Sequence, residues 1–97
     1  MASKRRLKKD IDLLMSLVLN DCFYVLEYNP KVEKDAVMKL AGEVVMQHQE
    51  FRKRVNNPDT KGDSKKVKQY YNNLMEDVLD TVDKDLEKLS ANVKKNA

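Results

Sequence analysis

The sequence predicts an all-α protein: an antiparallel up-down-up bundle of three helices with a long third helix, assembling as a homodimer. Three observations lead there. Only two Gly and two Pro among 97 residues, with 41% hydrophobic and 36% charged residues, is the composition of long helices with solvated outer faces. Apolar residues recur at helical spacing over three long stretches. Those stretches are broken only at Asn29-Pro30 and at Asn56-Asn57-Pro58, both turn-forming sequences. The length suits one domain, residues 1–97, with a single core.

The first helix is expected over about residues 5–28. Ile11, Leu14, Met15, Val18, Leu19, Cys22, Val25 and Leu26 form one apolar arc, with Asp12, Ser16, Asn20 and Glu27 opposite. Leu13, Leu17 and Tyr24 make a second patch on another flank, set off by Asp21. Two apolar patches on one helix imply more contact than its own bundle supplies.

The second helix is expected over about 31–56, with Asn29 as its N-cap and Pro30 at its first position. Its seam is Val37, Ala41, Val44, His48, Phe51 and Val55, spaced four and three in alternation, with Leu40 beside it. Gly42 lies off the seam and costs only about 1 kcal/mol relative to Ala. The segment 56–63 reads as a loop, and Asp63 or Ser64 as the cap of a third helix over about 64–94.

The third helix has an apolar face of Val67, Tyr71, Leu74, Met75, Val78, Leu79, Val82, Leu86, Leu89 and Val93, opposite an acidic face of Glu76, Asp77, Asp80, Asp83 and Glu87. At about 1.5 Å per residue it outruns the first two helices. Leu86, Leu89 and Val93 are then expected to overhang, uncovered by their own chain. With Leu13, Leu17 and Tyr24 they form the expected self-association surface.

Charge follows the same geometry. Bends at the two breaks gather three basic stretches at one end of the bundle. These are Lys4, Arg5, Arg6, Lys8 and Lys9; Arg52, Lys53 and Arg54; and Lys61, Lys65, Lys66 and Lys68. Twelve of the nineteen basic residues and four of the sixteen acids fall there, so this pole carries +8 and the remainder −5. Lys and Arg at this density attract phosphates or an acidic protein surface without reading sequence. Tyr70, beside Lys66 and Lys68, is placed to stack on a base.

Catalytic chemistry finds little footing. Cys22 and His48 fall at different heights on their helices and cannot form a Cys–His pair. Cys22 reads as a small buried hydrophobe. His48 reads as a satisfied seam residue, level with Ile11 and Tyr71 and bonded to the Tyr71 hydroxyl. The acidic residues of the third helix point outward from one element, whereas a tight cation site needs ligands from several. The chain has neither the paired acidic motifs on facing helices of helical nucleotide pyrophosphohydrolases nor the mid-bundle Arg and Lys of small helical chorismate mutases.

No catalytic residue, cofactor or metal is therefore expected. One cysteine excludes an internal disulfide and suits the cytoplasm. Asp10, Asp12, Asn20 and Asp21 interrupt the N-terminal apolar run, so neither a signal peptide nor a membrane span is expected. The function expected is that of a small non-enzymatic helical interaction or assembly module with a basic pole. Its partner is itself or a protein with an acidic surface. The alternative is a weak, non-sequence-specific nucleic-acid or polyanion binder.

Overall fold

The computed structural model describes residues 4–57 and 63–95, among which there are three helices and no strand. They are α1 (Lys4–Tyr28), α2 (Lys34–Asn56) and α3 (Ser64–Lys95), packed against one another in an envelope of 52 × 19 × 17 Å. Pro58 and Lys61 lie outside the described residues.

α1 buries Leu7, Ile11, Met15, Val18 and Cys22, successive steps of three and four that hold one stripe toward the core. Leu14, Leu19, Val25 and Leu26 pack at its margins. α1 closes at Tyr28, where the Asn29 amide still bonds the Val25 carbonyl at 3.0 Å.

The junction between α1 and α2 corrects an expectation. Asn29 does not cap α2, and Pro30 does not open it; α2 begins at Lys34, after Glu33. Asn29 instead holds a tight turn, its Oδ1 accepting from the Lys31 amide at 3.2 Å and its carbonyl from the Val32 amide at 3.3 Å. Val32 is buried, so the connector is pinned to the core rather than wound into the helix. Asp35 in the first turn of α2 and Lys53 and Arg54 in the last complement its dipole.

The seam of α2 is as expected: Val37, Leu40, Ala41, Val44, Phe51 and Val55 are buried, while His48 sits half-covered at its edge. α3 starts at a true cap. Asp63 Oδ1 accepts from the amides of Lys65 and Lys66 at 3.0 and 3.3 Å, and the Val67 amide bonds the Asp63 carbonyl at 2.9 Å.

From α3 the core receives Leu74, Val78, Val82 and Leu89, with Tyr71 and Met75 packed against it. Two members of the expected apolar face, Leu79 and Leu86, are exposed, and Asp85 is buried in their stead. The reason is angular. Residues 74, 78, 82, 85 and 89 follow steps of four, four, three and four, the seam of a packed helix, and Leu86 falls one residue beyond it.

The expected overhang is also corrected. Leu89 is only 5% exposed, covered by its own chain. Lys88 pairs with Glu43 at 3.7 Å, and Ala91 and Asn92 share a surface hollow with Ala36, Lys39 and Leu40 at the start of α2. α3 is set back along the bundle: its bonds to the last turn of α2 come from Tyr71 and Asp77. Roughly two turns of α3 thus precede that meeting, and its far end runs level with α2 instead of past it.

Candidate functional site

The basic residues singled out in the sequence lie at helix ends. Lys4, Arg5, Arg6 and Lys9 are exposed in the first turns of α1, with Lys8 partly covered; Lys65, Lys66 and Lys68 are exposed in the first turns of α3. Arg52 and Lys53 are exposed near the end of α2. Arg54 is held more firmly, its Nη2 donating to Asp77 Oδ2 at 2.8 Å and its guanidinium 5.9 Å from the centre of the Phe51 ring. Burial lowers its affinity for a proton, and the bond to Asp77 with the neighbouring Tyr70 more than offsets this, so the net direction is up. Tyr70 lies beside Arg54 and also meets Tyr71 edge-on at 5.8 Å.

The apolar residues singled out for self-association come together more closely than their sequence positions suggest. Tyr24 and Val25 of α1 and Leu86, Leu89 and Val93 of α3 line one open groove of about 290 Å³, with Asp21 and Ser90 at its rim. Leu89 forms its floor. Tyr24 is 65% exposed and meets Tyr28, which is equally open to solvent, at 4.7 Å between ring centres with the planes tilted by 42°. Seven residues back along each helix, the same two rims carry Leu17 and Leu79, also about half exposed. Leu13, 61% exposed, extends the α1 rim by another turn.

This face also carries acid. Asp21 lines the groove, and Asp83 falls between Leu79 and Leu86 on the α3 rim, with Glu76 and Glu87 flanking it; all four are exposed. The face is therefore two apolar rims edged by a belt of carboxylates.

The polar core corrects the expectation for His48. Its Nε2 lies 2.5 Å from Asp12 Oδ1, and because a carboxylate only accepts, the imidazole N–H is the donor. Arg52 Nε approaches the same oxygen at 3.6 Å. The Tyr71 hydroxyl bonds the Val55 carbonyl at 3.1 Å instead of His48. The ring lies at the expected level of α1, next to Ile11, but turns to the α1–α2 flank and not toward Tyr71 of α3.

Cys22 is fully buried, and its thiol is held above the ordinary thiol range, first by burial and then by the charges of Asp85 and Asp21. Such a thiol is a poor nucleophile. Asp85, 1% exposed, is the polar residue that sequence reading missed. Gln47 Nε2 donates to its Oδ1 at 3.4 Å, while Asp85 Oδ2 and Gln47 Oε1 have no partner. Burial raises the affinity of Asp85 for a proton, opposed by the Gln47 bond and by Lys88 and reinforced by Glu43. The spacing of the α3 seam places residue 85 inside, but an acid is passed over when the apolar face is read by polarity.

Among the described residues no cluster of three or more His, Cys, Asp and Glu side chains is arranged to hold a metal ion, and no helix is long and apolar enough to cross a membrane. Compared with protein-family models, with curated proteins and with solved structures, the chain matches none.

Proposed function

We propose that this protein is a non-enzymatic, cytoplasmic assembly module: an antiparallel up-down-up bundle that pairs with a second copy of itself through the α1–α3 face. The observation that carries the reading is the groove in which Tyr24 and Val25 meet Leu86, Leu89 and Val93. Exposed Leu17 and Leu79 continue it along both helices. An apolar strip of that length, bearing an exposed Tyr pair, has the makings of an interface core.

The antiparallel order is supported by the contacts between α2 and α3, where Glu43 meets Lys88, Gln47 meets Asp85 and Arg54 meets Asp77: one number rises as the other falls. A head-to-tail order of the helices brings the lysine-rich starts of α1 and α3 to one pole. Charge then favours a second copy as the occupant. In a two-fold pair centred low on the face, near Leu13 and Leu17, the cationic pole of each copy lies over the belt of Asp21, Asp83 and Glu87 of the other. A two-fold centred on the belt itself would set carboxylates against carboxylates.

Light scattering at about 100 µM, well above the dissociation constant of a weak dimer, should give a two-chain mass that falls as salt rises. Replacing Leu17 and Leu86 together by Asp should give a one-chain mass with helical content unchanged. A wild-type mass of one chain under these conditions, or a dimer indifferent to the double substitution, overturns the reading.

A second reading, weak binding of nucleic acid or another polyanion, draws on Lys65, Lys66 and Lys68 beside Tyr70 and on Arg52 and Lys53. Binding of a single-stranded or duplex oligonucleotide at low salt, abolished by Arg52→Glu with Arg54→Glu, would favour it over self-assembly. Retention of binding in that variant would dismiss it.

A further inference from the structure

The buried pair at the centre of the bundle has an uneven count of donors and acceptors. Gln47 offers one N–H to Asp85 Oδ1, and two oxygens remain, Gln47 Oε1 and Asp85 Oδ2, both buried and both without a donor. If Asp85 is ionised, nothing within the pair can satisfy either oxygen, and a charge sits only 1% exposed. An unpaired buried carboxylate of this kind is among the costliest arrangements a core can hold.

The neighbours supply no rescue. From α1, Cys22 lies within electrostatic reach as a neutral thiol, and Asp21 beside it carries a charge of the wrong sign. From α2, Glu43 adds a like charge. On α3, Lys88 is the one helpful cation, and its ammonium is directed to Glu43 at 3.7 Å. His48, next in sequence to Gln47, is turned to Asp12.

A single proton resolves the count. Placed on Asp85 Oδ2, it converts that oxygen into a donor, and the Gln47 amide bonded to Oδ1 carries the acceptor without a partner, Oε1. We propose that Asp85 is a neutral carboxylic acid in the folded protein and closes a two-bond ring with Gln47, Oδ2–H to Oε1 and Nε2–H to Oδ1, making the bundle a pH-sensitive device. The raised proton affinity of Asp85 from burial agrees with this.

The direction of the device follows. The folded chain holds a proton that the unfolded chain, with an ordinary aspartate, has released. The contribution is complete below the ordinary aspartate range and is lost as pH rises toward the folded value. Within that window the folding constant falls about tenfold per pH unit on account of this residue. Asp85 precedes Leu86 and stands one turn from Leu89, so loosening at this layer is felt first by the floor of the α1–α3 groove. The ring itself exists whether or not that groove binds anything.

The test is a pair of measurements on the whole chain. In ¹³C-labelled wild-type protein, the Asp85 carboxyl carbon should keep the shift of a protonated acid well above the pH at which the exposed aspartates titrate. A carboxylate shift for Asp85 already in their range overturns the proposal. Asp85→Asn keeps the shape and supplies the second donor as an amide N–H, so it forms the same ring without a proton. Its folding constant relative to wild type, from urea unfolding, should rise about tenfold per pH unit through the window and exceed wild type at about pH 8. A ratio flat across pH, or an Asn variant that is weaker or unfolded at about pH 8, also overturns it.

Discussion

His48 and Asp12 clasp α2 to α1 at the edge of the core, 2.5 Å apart, with Arg52 a turn further along α2 leaning on the same carboxylate. The pair is half open to solvent, so its worth is modest. A double-mutant cycle of His48→Ala and Asp12→Ala, read by urea denaturation, should give a coupling of about 0.5–1 kcal/mol. The coupling should shrink in high salt to the extent that it is ionic. Additive single effects would mean that the clasp is a neighbour contact only.

Gly42 lies on the outer side of α2, and a Cβ built on it meets nothing within 4 Å. Gly42→Ala should therefore stabilise the protein by roughly 0.5–1 kcal/mol through the unfolded chain and helix propensity, with no new contact. Thermal unfolding would show a rise in Tm. A fall would point to an occupant of that open surface.

The cap of α3 rests on one side chain. Asp63→Ala removes the acceptor for the Lys65 and Lys66 amides and should cost about 0.5–2 kcal/mol. Asp63→Asn should recover most of that loss. Hydrogen exchange of the first α3 amides reports the same change locally, and protection equal to wild type in the Ala variant would contradict the capping role.

Cys22 should resist thiol reagents in the native protein near neutral pH, because it is buried and burial disfavours its thiolate. Labelling should become complete only on unfolding by urea, and its native rate should track the opening of the bundle. A raised folded value for a thiol also means that its contribution to stability holds below the ordinary thiol range and is lost as pH climbs through it. Rapid labelling of the folded chain would refute the placement of Cys22.

The parts of this structure legible in the sequence are those governed by local periodicity. The three helices and the α2 seam from Val37 to Val55 follow from apolar steps of three and four, and the cap at Asp63 from its position before a periodic run. What was hidden depends on how one helix slides and turns against another. The partner of His48 was misjudged because height along a helix is readable from residue counts, whereas the azimuth that favours Asp12 over Tyr71 is set by packing. The overhang at Leu89 failed for a related reason: nothing in the segment 56–63 says how far α3 is set back before it meets α2. Asp85 was hidden by its own chemistry, since an acid counts against a core position in any reading by polarity. The groove was half visible, as two exposed stripes on separate helices whose convergence needed the fold.

The single acid among hydrocarbon neighbours has one more consequence, for alignment. Apolar seams are forgiving: shifted by one helical turn, Val and Leu side chains still find Val and Leu. Moving α3 one turn along α2 would bring Val82 or Leu89 opposite the Gln47 amide and drive the Asp85 carboxyl against Val44 or Phe51. Neither slipped arrangement offers the carboxyl a partner, so Gln47 and Asp85 act together as a notch that favours one alignment of α3 along α2.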